Sequence, residues 1–415
     1  MLQPVRGMVD WTPDKYYALL TVARKMSAVA EAYGYRAIET PALEHFEVLK
    51  AKAGEEVVNE IYYFRDKAGR ELGLRFDMTV PVARVVSYRV DLPKPIRLYY
   101  FTKVWRYDEP QFGRFREFHQ FGVEHIGSGG VEADAEVIAV SLRALEAVGS
   151  ADYTAHVSDR RIMDNILESR GVGGSREDVL RILDKRGKVP DEELVKMLMG
   201  RGLSKDIAED LVNIANVNTP IMEAAHTLSE LRVRKDLVDY VESLATLLND
   251  YGLANRAVLD LGIVRGLDYY TGFVYEIYVK DFKLAVGGGG RYDDLVRIYS
   301  GQDMPATGFA IGVERVMMAL NIQQNPPKVD YYIYPISREQ YSLAVRISEN
   351  LRRRGLSVVL DVGKPSLRSA LEYASKIGAS KFIIVGPREV SKGVVRVRDM
   401  EKWSEVEEPL NNYIG

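Results

Sequence analysis

Four strand-like stretches, at 61–64, 71–76, 96–107 and 117–126, follow one another without full-length crossover helices between them. Parallel neighbours need a crossover of a dozen or more residues, usually a helix, whereas antiparallel neighbours need only a short turn. The pattern therefore predicts an α+β fold on an antiparallel sheet of six or more strands, not a doubly wound one. Ahead of these stretches, Tyr16, Leu19, Leu20, Ala23, Met26 and Ala30 recur at helical spacing. Thr12 is placed to cap that helix, Pro13 and Asp14 suit its first turn, and Gly34 ends it. A strand is expected over 35–39, running into Thr40-Pro41 and a short helix.

Residues 158–253 change character. Leu, Ile and Met fall at helical spacing among dense charges, and no strand is expected there. The sheet resumes near Ala257 and closes with a helix over 313–320. A polar, Pro-containing linker follows from Asn321 to Lys328. After it, strands at 331–336, 357–360 and 381–385 alternate with helices at 340–354 and 367–377, which predicts a small α/β domain with a largely parallel sheet. The expected division is one domain from 1–157 and 254–320, a helical insertion at 158–253, a linker at 321–329 and a C-terminal domain at 330–415.

Composition narrows the chemistry. Cysteine is absent, which excludes disulfides and thiolate metal sites. The five histidines, His45, His119, His125, His156 and His226, show no metal-ligand spacing, so no protein-held metal is expected. No apolar run has the length of a membrane span, and the first residues lack a signal-peptide core, so a cytoplasmic chain without membrane contact is expected. A net charge of −3 is not that of a protein that coats nucleic acid indiscriminately.

Four stretches concentrate chemical function. Arg265 to Gly272 (Arg-Gly-Leu-Asp-Tyr-Tyr-Thr-Gly) packs a cation, a carboxylate and two phenols beside an apolar strand, where each group needs a partner. Taken alone it could also be a turn in which Arg265 and Asp268 pair. Between 104 and 120, Arg106, Arg114 and Arg116 sit on a polar loop between two strands. Guanidiniums bind phosphate oxygens bidentately, so the loop suits a polyphosphate, although Asp108, Glu109 and Glu117 could equally neutralise all three. Gln120, Gly122 and Glu124 share one strand face, with Val123 and Ile126 assigned to the other. Gly287 to Gly290 permits close backbone approach and, by itself, reads as a glycine turn. Finally, Ala306 to Gly312 leads into a helix whose first turn holds Glu314 and Arg315. An arginine there opposes the helix dipole, which suggests either an anionic or aromatic partner or exposure to solvent.

In this order the stretches resemble the three motifs of the class II aminoacyl-tRNA synthetases, and RGLDYYTG is similar to the string that sets the histidyl-tRNA synthetase family apart. The segment 39–44 looks like the first motif, 104–124 the second and 307–315 the third; 74–81 (Leu-Arg-Phe-Asp-Met-Thr-Val-Pro) is similar to the archaeal and eukaryotic form of the amino-acid site. The resemblance implies ATP-dependent activation of L-histidine to an adenylate, then transfer to the 3′ end of tRNA(His), by a homodimer built through the first motif. It assigns Arg106 and Arg265 to the α-phosphate, Arg114 to the outer phosphates, and Phe118 and Arg315 to the adenine, with Mg²⁺ arriving on the ATP. Asp77, Thr79 and Gln120 would hold the amino and carboxyl groups, Glu124 and Tyr270 the imidazole. Tyr269 joins this histidine site, where with Asp268 it shapes the loop. Residues 330–415 look like an anticodon-binding domain. The rival from another class is a synthetase-like regulatory subunit that senses histidine for a biosynthetic enzyme; such subunits lack that last domain.

Overall fold

The structure, a computed structural model of the 415-residue chain, describes all residues except Met1, 52–54, Val90, 150–151, 174–175, 264–269, Lys364 and Gly415, together with the side chains at 55 and 56. The chain divides into two compact units, Met1–Gln323 and Gln324–Gly415.

The first unit is organised by a nine-stranded sheet. Its strands in chain order are β1 (Arg36–Ala37), β2 (Ile96–Trp105), β3 (Glu117–Ile126), β4 (Tyr153–Asp159), β5 (Asn218–Pro220), β6 (Ala257–Asp260), β7 (Phe273–Val279), β8 (Gly287–Arg291) and β9 (Ala306–Gly312). Their spatial order is β1-β2-β3-β9-β8-β7-β4-β6-β5. The run from β2 to β4 is antiparallel throughout, and the parallel pairings are β1 with β2 and β4 with β6. A separate three-stranded sheet holds Leu43–His45, Glu71–Leu74 and Tyr63–Arg65. The helix Thr79–Tyr88 thus lies between strands of different sheets and crosses over nothing.

One face of the large sheet is covered by the helices Pro13–Ala32 and Val131–Val148, whose Leu19, Val22, Met26, Ile138 and Leu142 pack with Phe121, Val123, Phe309 and Ile311. The buried stripe of the first helix is Ala18, Leu19, Val22, Met26 and Ala30; Tyr16 is exposed, so the stripe is rotated from the expected one. The Thr12 hydroxyl donates to Asp14 at 2.7 Å and caps no backbone amide. On the opposite face Met78, Val82, Tyr100, Tyr292 and Leu295 form a smaller core. Ile126 belongs to this second core, not beside Val123 as expected: 126 has the parity of 120, 122 and 124, and strand alternation puts all four on one face.

Residues 158–253 are built mostly of short amphipathic helices, with Asp159 and Ser204 accepting from the backbone amides of Arg161 and Ile207 as caps. Their core is continuous with that under the large sheet. Contrary to expectation they contribute a strand, β5, which pairs with β6 and includes Pro220 at the sheet edge. In the second unit the strands Val358–Leu360, Tyr331–Pro335 and Lys381–Val385 run parallel, but Val394–Asp399 and Glu405–Pro409 extend the sheet antiparallel. The sheet is therefore mixed rather than largely parallel.

Candidate active site

Four glycines pressed into the sheet centre open a cavity of about 510 Å³ above it. Gly287–Arg291 is no turn: it is strand β8, extended between β7 and β9. Cβ atoms there would meet neighbouring backbone, at 2.2 Å from Gly308 O for Gly289 and 2.4 Å from Phe273 O for Gly290. Side chains are absent from these positions, so a ligand can lie directly over the strands.

Two groups of polar residues face this space. Arg106, Arg114 and Arg315 line it together with Phe118. Arg106 donates from Nε to Phe76 O at 3.0 Å, and its guanidinium lies 5.5 Å from the Phe118 ring centre. The neutralising lattice that the sequence allowed is not built. Glu109 pairs with Arg6 and Glu117 with Lys103 at 2.6 Å; only Asp108 reaches an arginine of the loop, Arg114 at 2.9 Å. Arg116 donates to Asp108 O and sits over Tyr107. Among the described residues Arg106 has no carboxylate within ion-pair distance. Among the described residues Arg315 pairs with no carboxylate and no aromatic ring. It donates to Gly113 O at 2.7 Å and Ala285 O at 2.8 Å, and burial together with Arg106 and Arg114 lowers its pKa. A guanidinium stays protonated regardless, so this marks a concentrated positive field.

The second group comprises Asp77, Thr79, Gln120 and Tyr270, all on the cavity wall. Asp77 is buried and accepts from Val80 N at 3.3 Å, at the start of the helix Thr79–Tyr88. Gln120 is buried with its Oε1 unpartnered, an acceptor left for whatever fills the space. Glu124 does not line the wall itself. It is fully buried behind Thr79 and Tyr292, accepting from Thr79 at 2.9 Å and Tyr100 at 3.2 Å on Oε1 and from Tyr292 on Oε2. Burial pushes its carboxyl up to about 8, against the pull of the three hydroxyls and with a further push from Asp77. Arg265, Asp268 and Tyr269 lie outside the described residues. Among the described residues no group of three or more His, Asp or Glu is placed to hold a metal ion.

A model of the histidyl-tRNA synthetases matches residues 7–316, and one of anticodon-binding domains matches 330–415. The chain belongs to the histidyl-tRNA synthetase family. It is 52% identical over 413 residues to the histidine–tRNA ligase of Pyrobaculum aerophilum, covering 100% of this chain and 98% of that one. Among solved structures, the protein from Bacillus halodurans titled ATP phosphoribosyltransferase regulatory subunit/histidyl-tRNA synthetase has a TM-score of 0.82 at 27% identity, covering 93% of this chain and 98% of that one. Histidyl-tRNA synthetase from Nostoc sp. PCC 7120 shares the fold, with a TM-score of 0.83 at 24% identity over 100% and 98% of the two chains.

The sequence did not anticipate the contacts made by Tyr100, Tyr292 and Glu314. Tyr100 pairs with Gly122 across β2 and β3, and the missing side chain there lets its phenol reach Glu124. Strand parity would have found it. Glu314 accepts from both His119 N and His119 Nδ1, at 2.9 and 2.8 Å, pinning the helix Val313–Ala319 to β3. Gly308 is equally committed. A Cβ there would lie 2.1 Å from Glu124 Oε2 and 2.6 Å from Val123 O. Gly308→Ala is therefore expected to destabilise by about 1–3 kcal/mol through overpacking, read as a lower thermal midpoint. An unchanged midpoint would mean β3 and β9 part freely.

Proposed function

We propose that this cavity activates histidine with ATP, releasing pyrophosphate, and that the chain then transfers the histidyl group to the 3′ end of tRNA(His). The observation that carries the reading is the meeting of two unlike surfaces in one cavity: Arg106 and Arg315, which among the described residues pair with no carboxylate, and the oxygen acceptors of Asp77 and Gln120, with Glu124 buried behind Thr79. Attack of the histidine carboxylate on the α-phosphate builds charge on the phosphate oxygens. Preorganised guanidiniums lower that barrier with little covalent work by the protein. Arg106, held by Phe76 O, would face the α-phosphate together with Arg265. Arg114 would take the outer phosphates, with Phe118 and Arg315 stacking on adenine. Asp77 accepts from the α-ammonium, assisted by Thr79 and Gln120. Glu124 and Tyr270 serve the two imidazole nitrogens, one donor and one acceptor in the neutral ring. Tyr269 belongs to the same pocket. Mg²⁺ would enter with ATP, on the phosphates.

In this reading 1–157 with 254–320 is the catalytic domain, 158–253 an insertion, and 330–415, joined by 321–329, reads the anticodon. A homodimer would form through 39–44, and the protein would work in the cytoplasm. The match of 330–415 to an anticodon-binding model speaks against the histidine-sensing regulatory subunit, which lacks such a domain. Pyrophosphate exchange screened over the twenty amino acids is expected to respond to histidine alone. Truncation after Lys328 should leave that exchange largely intact and cripple tRNA charging. Exchange with another amino acid, or full charging by the truncated chain, would overturn the respective assignment.

A further inference from the structure

The helical insertion is tied by a side chain to the segment that leads to the cavity wall. Strand β6 ends at Asp260, which is almost fully buried, and three residues later Ile263 lines the cavity. Arg186, in the turn between the insertion helices Arg176–Leu183 and Asp191–Met199, clamps this short stem. Its Nη2 lies 2.8 Å from Asp260 Oδ1, and its Nη1 donates to Ala215 O. The same carboxylate accepts from His156 Nδ1 at 2.9 Å and from Gly262 N at 3.0 Å. Gly262 leaves room for the guanidinium: a Cβ there would sit 2.0 Å from Arg186 Cζ. Its φ is not in the left-handed region, so space, not backbone conformation, is what glycine supplies.

The opposite stem is held in a similar way. Gly272 O accepts from Arg160 N at 3.2 Å, at the start of the insertion helix Arg160–Ser169. Thr271 N donates to Arg291 O at 2.8 Å, and Tyr270 beside it lines the cavity. The two wall residues Ile263 and Tyr270 therefore each sit within three residues of a tie to the insertion.

We propose that Arg186 is a positioning residue for histidine activation: the insertion, through Arg186 on Asp260 and Gly262, sets where Ile263 stands on the cavity wall. This rests on reading the cavity as the histidine-activating site. Misplacing a wall element by about 1 Å can lower a rate on the order of 10²-fold without touching the reacting groups.

The test uses the full-length protein and tRNA-independent pyrophosphate exchange. Arg186→Ala is expected to lower kcat about 10–100-fold, in line with that effect, while KM for ATP stays within about threefold. Gly262→Ala, which ejects the guanidinium without removing it, should give the same loss. The double variant should be no slower than the worse single, because both break one contact. Arg186→Lys, which keeps the charge but not the planar fork, should recover part of the rate. Variants that lose thermal stability yet turn over normally while folded would reduce Arg186 to structural glue and overturn the proposal, as would additive effects of the two single changes. If the parent protein itself showed no histidine-dependent exchange, the reading of the cavity would fail instead.

Discussion

Glu124→Gln is expected to make the protein more resistant to unfolding at alkaline pH and nearly unable to activate histidine. The carboxyl is fully buried and pushed from 4.5 up to about 8, with burial as the main cause. The unfolded chain releases this proton near 4.5, whereas the folded chain keeps it to about 8. Between those values the folded state holds the extra proton, so its contribution to stability is fully present below 4.5 and is lost as pH rises through 8. A shift of this size corresponds to a loss of about 5 kcal/mol by pH 9. Glutamine has no such dependence, and the hydroxyls of Thr79, Tyr100 and Tyr292 can each turn to donate or accept. The gap in thermal midpoint between variant and parent should thus widen from pH 5 to pH 9. Function moves the other way. A site that hydrogen-bonds its ligand discriminates strongly because unmatched buried groups are left unpaired. The histidine KM in pyrophosphate exchange should rise about 100-fold or more while the ATP KM changes little. The ratio of variant to parent histidine KM should itself grow toward pH 8, as the parental carboxylate forms. Equal effects on both substrates, or a flat ratio, would remove Glu124 from imidazole recognition.

The antiparallel sheet was legible because strand spacing and the lack of crossovers act locally along the chain. The strand Glu117–Ile126 is found where alternation put it. Gly287–Gly290 was not legible as a strand, because glycine has no side chain to alternate; only its neighbours, with carbonyls where Cβ atoms would be, make it one. Asn218–Pro220 escaped for a related reason: a three-residue edge strand has too few residues to show a period. The added strands Val394–Asp399 and Glu405–Pro409 pair antiparallel, and only the five-residue helix Pro387–Ser391 separates the first of them from the parallel part of the sheet. At the site, motif and parity pointed to Arg106 and Gln120, and both line the cavity. What surrounds Glu124 could not be read, since Thr79, Tyr100 and Tyr292 come from three separate segments and meet only through the register of β2 on β3 and the turn after β8. The acidic neighbours of the arginine loop illustrate the same limit. Their number suggested neutralisation, and their directions, toward Arg6 and Lys103, undo it.

Arg106→Lys tests whether that undoing matters. Among the described residues the guanidinium is held by Nε to Phe76 O at 3.0 Å and by the Phe118 ring, and its terminal nitrogens are left for a ligand. Phe76 immediately precedes Asp77, so the segment that presents a carboxylate to the cavity also holds the cation proposed for the phosphate. Lysine keeps the charge but lacks the second donor and the planar fork that matches two phosphate oxygens. If Arg106 acts on charge that develops during transfer, Arg106→Lys should lower kcat about 10²–10³-fold, as loss of one preorganised donor does. The ATP KM should move little, because Arg114 and Arg315 still face the same cavity. Arg106→Ala should be no milder. Arg265→Ala should match it, and the pair together should be far less than multiplicative, since two cations that stabilise one phosphate cannot each be lost in full. A raised ATP KM with unchanged kcat would instead make Arg106 a simple nucleotide holder. Fully multiplicative losses for Arg106 and Arg265 would place the two guanidiniums on different groups of the substrate.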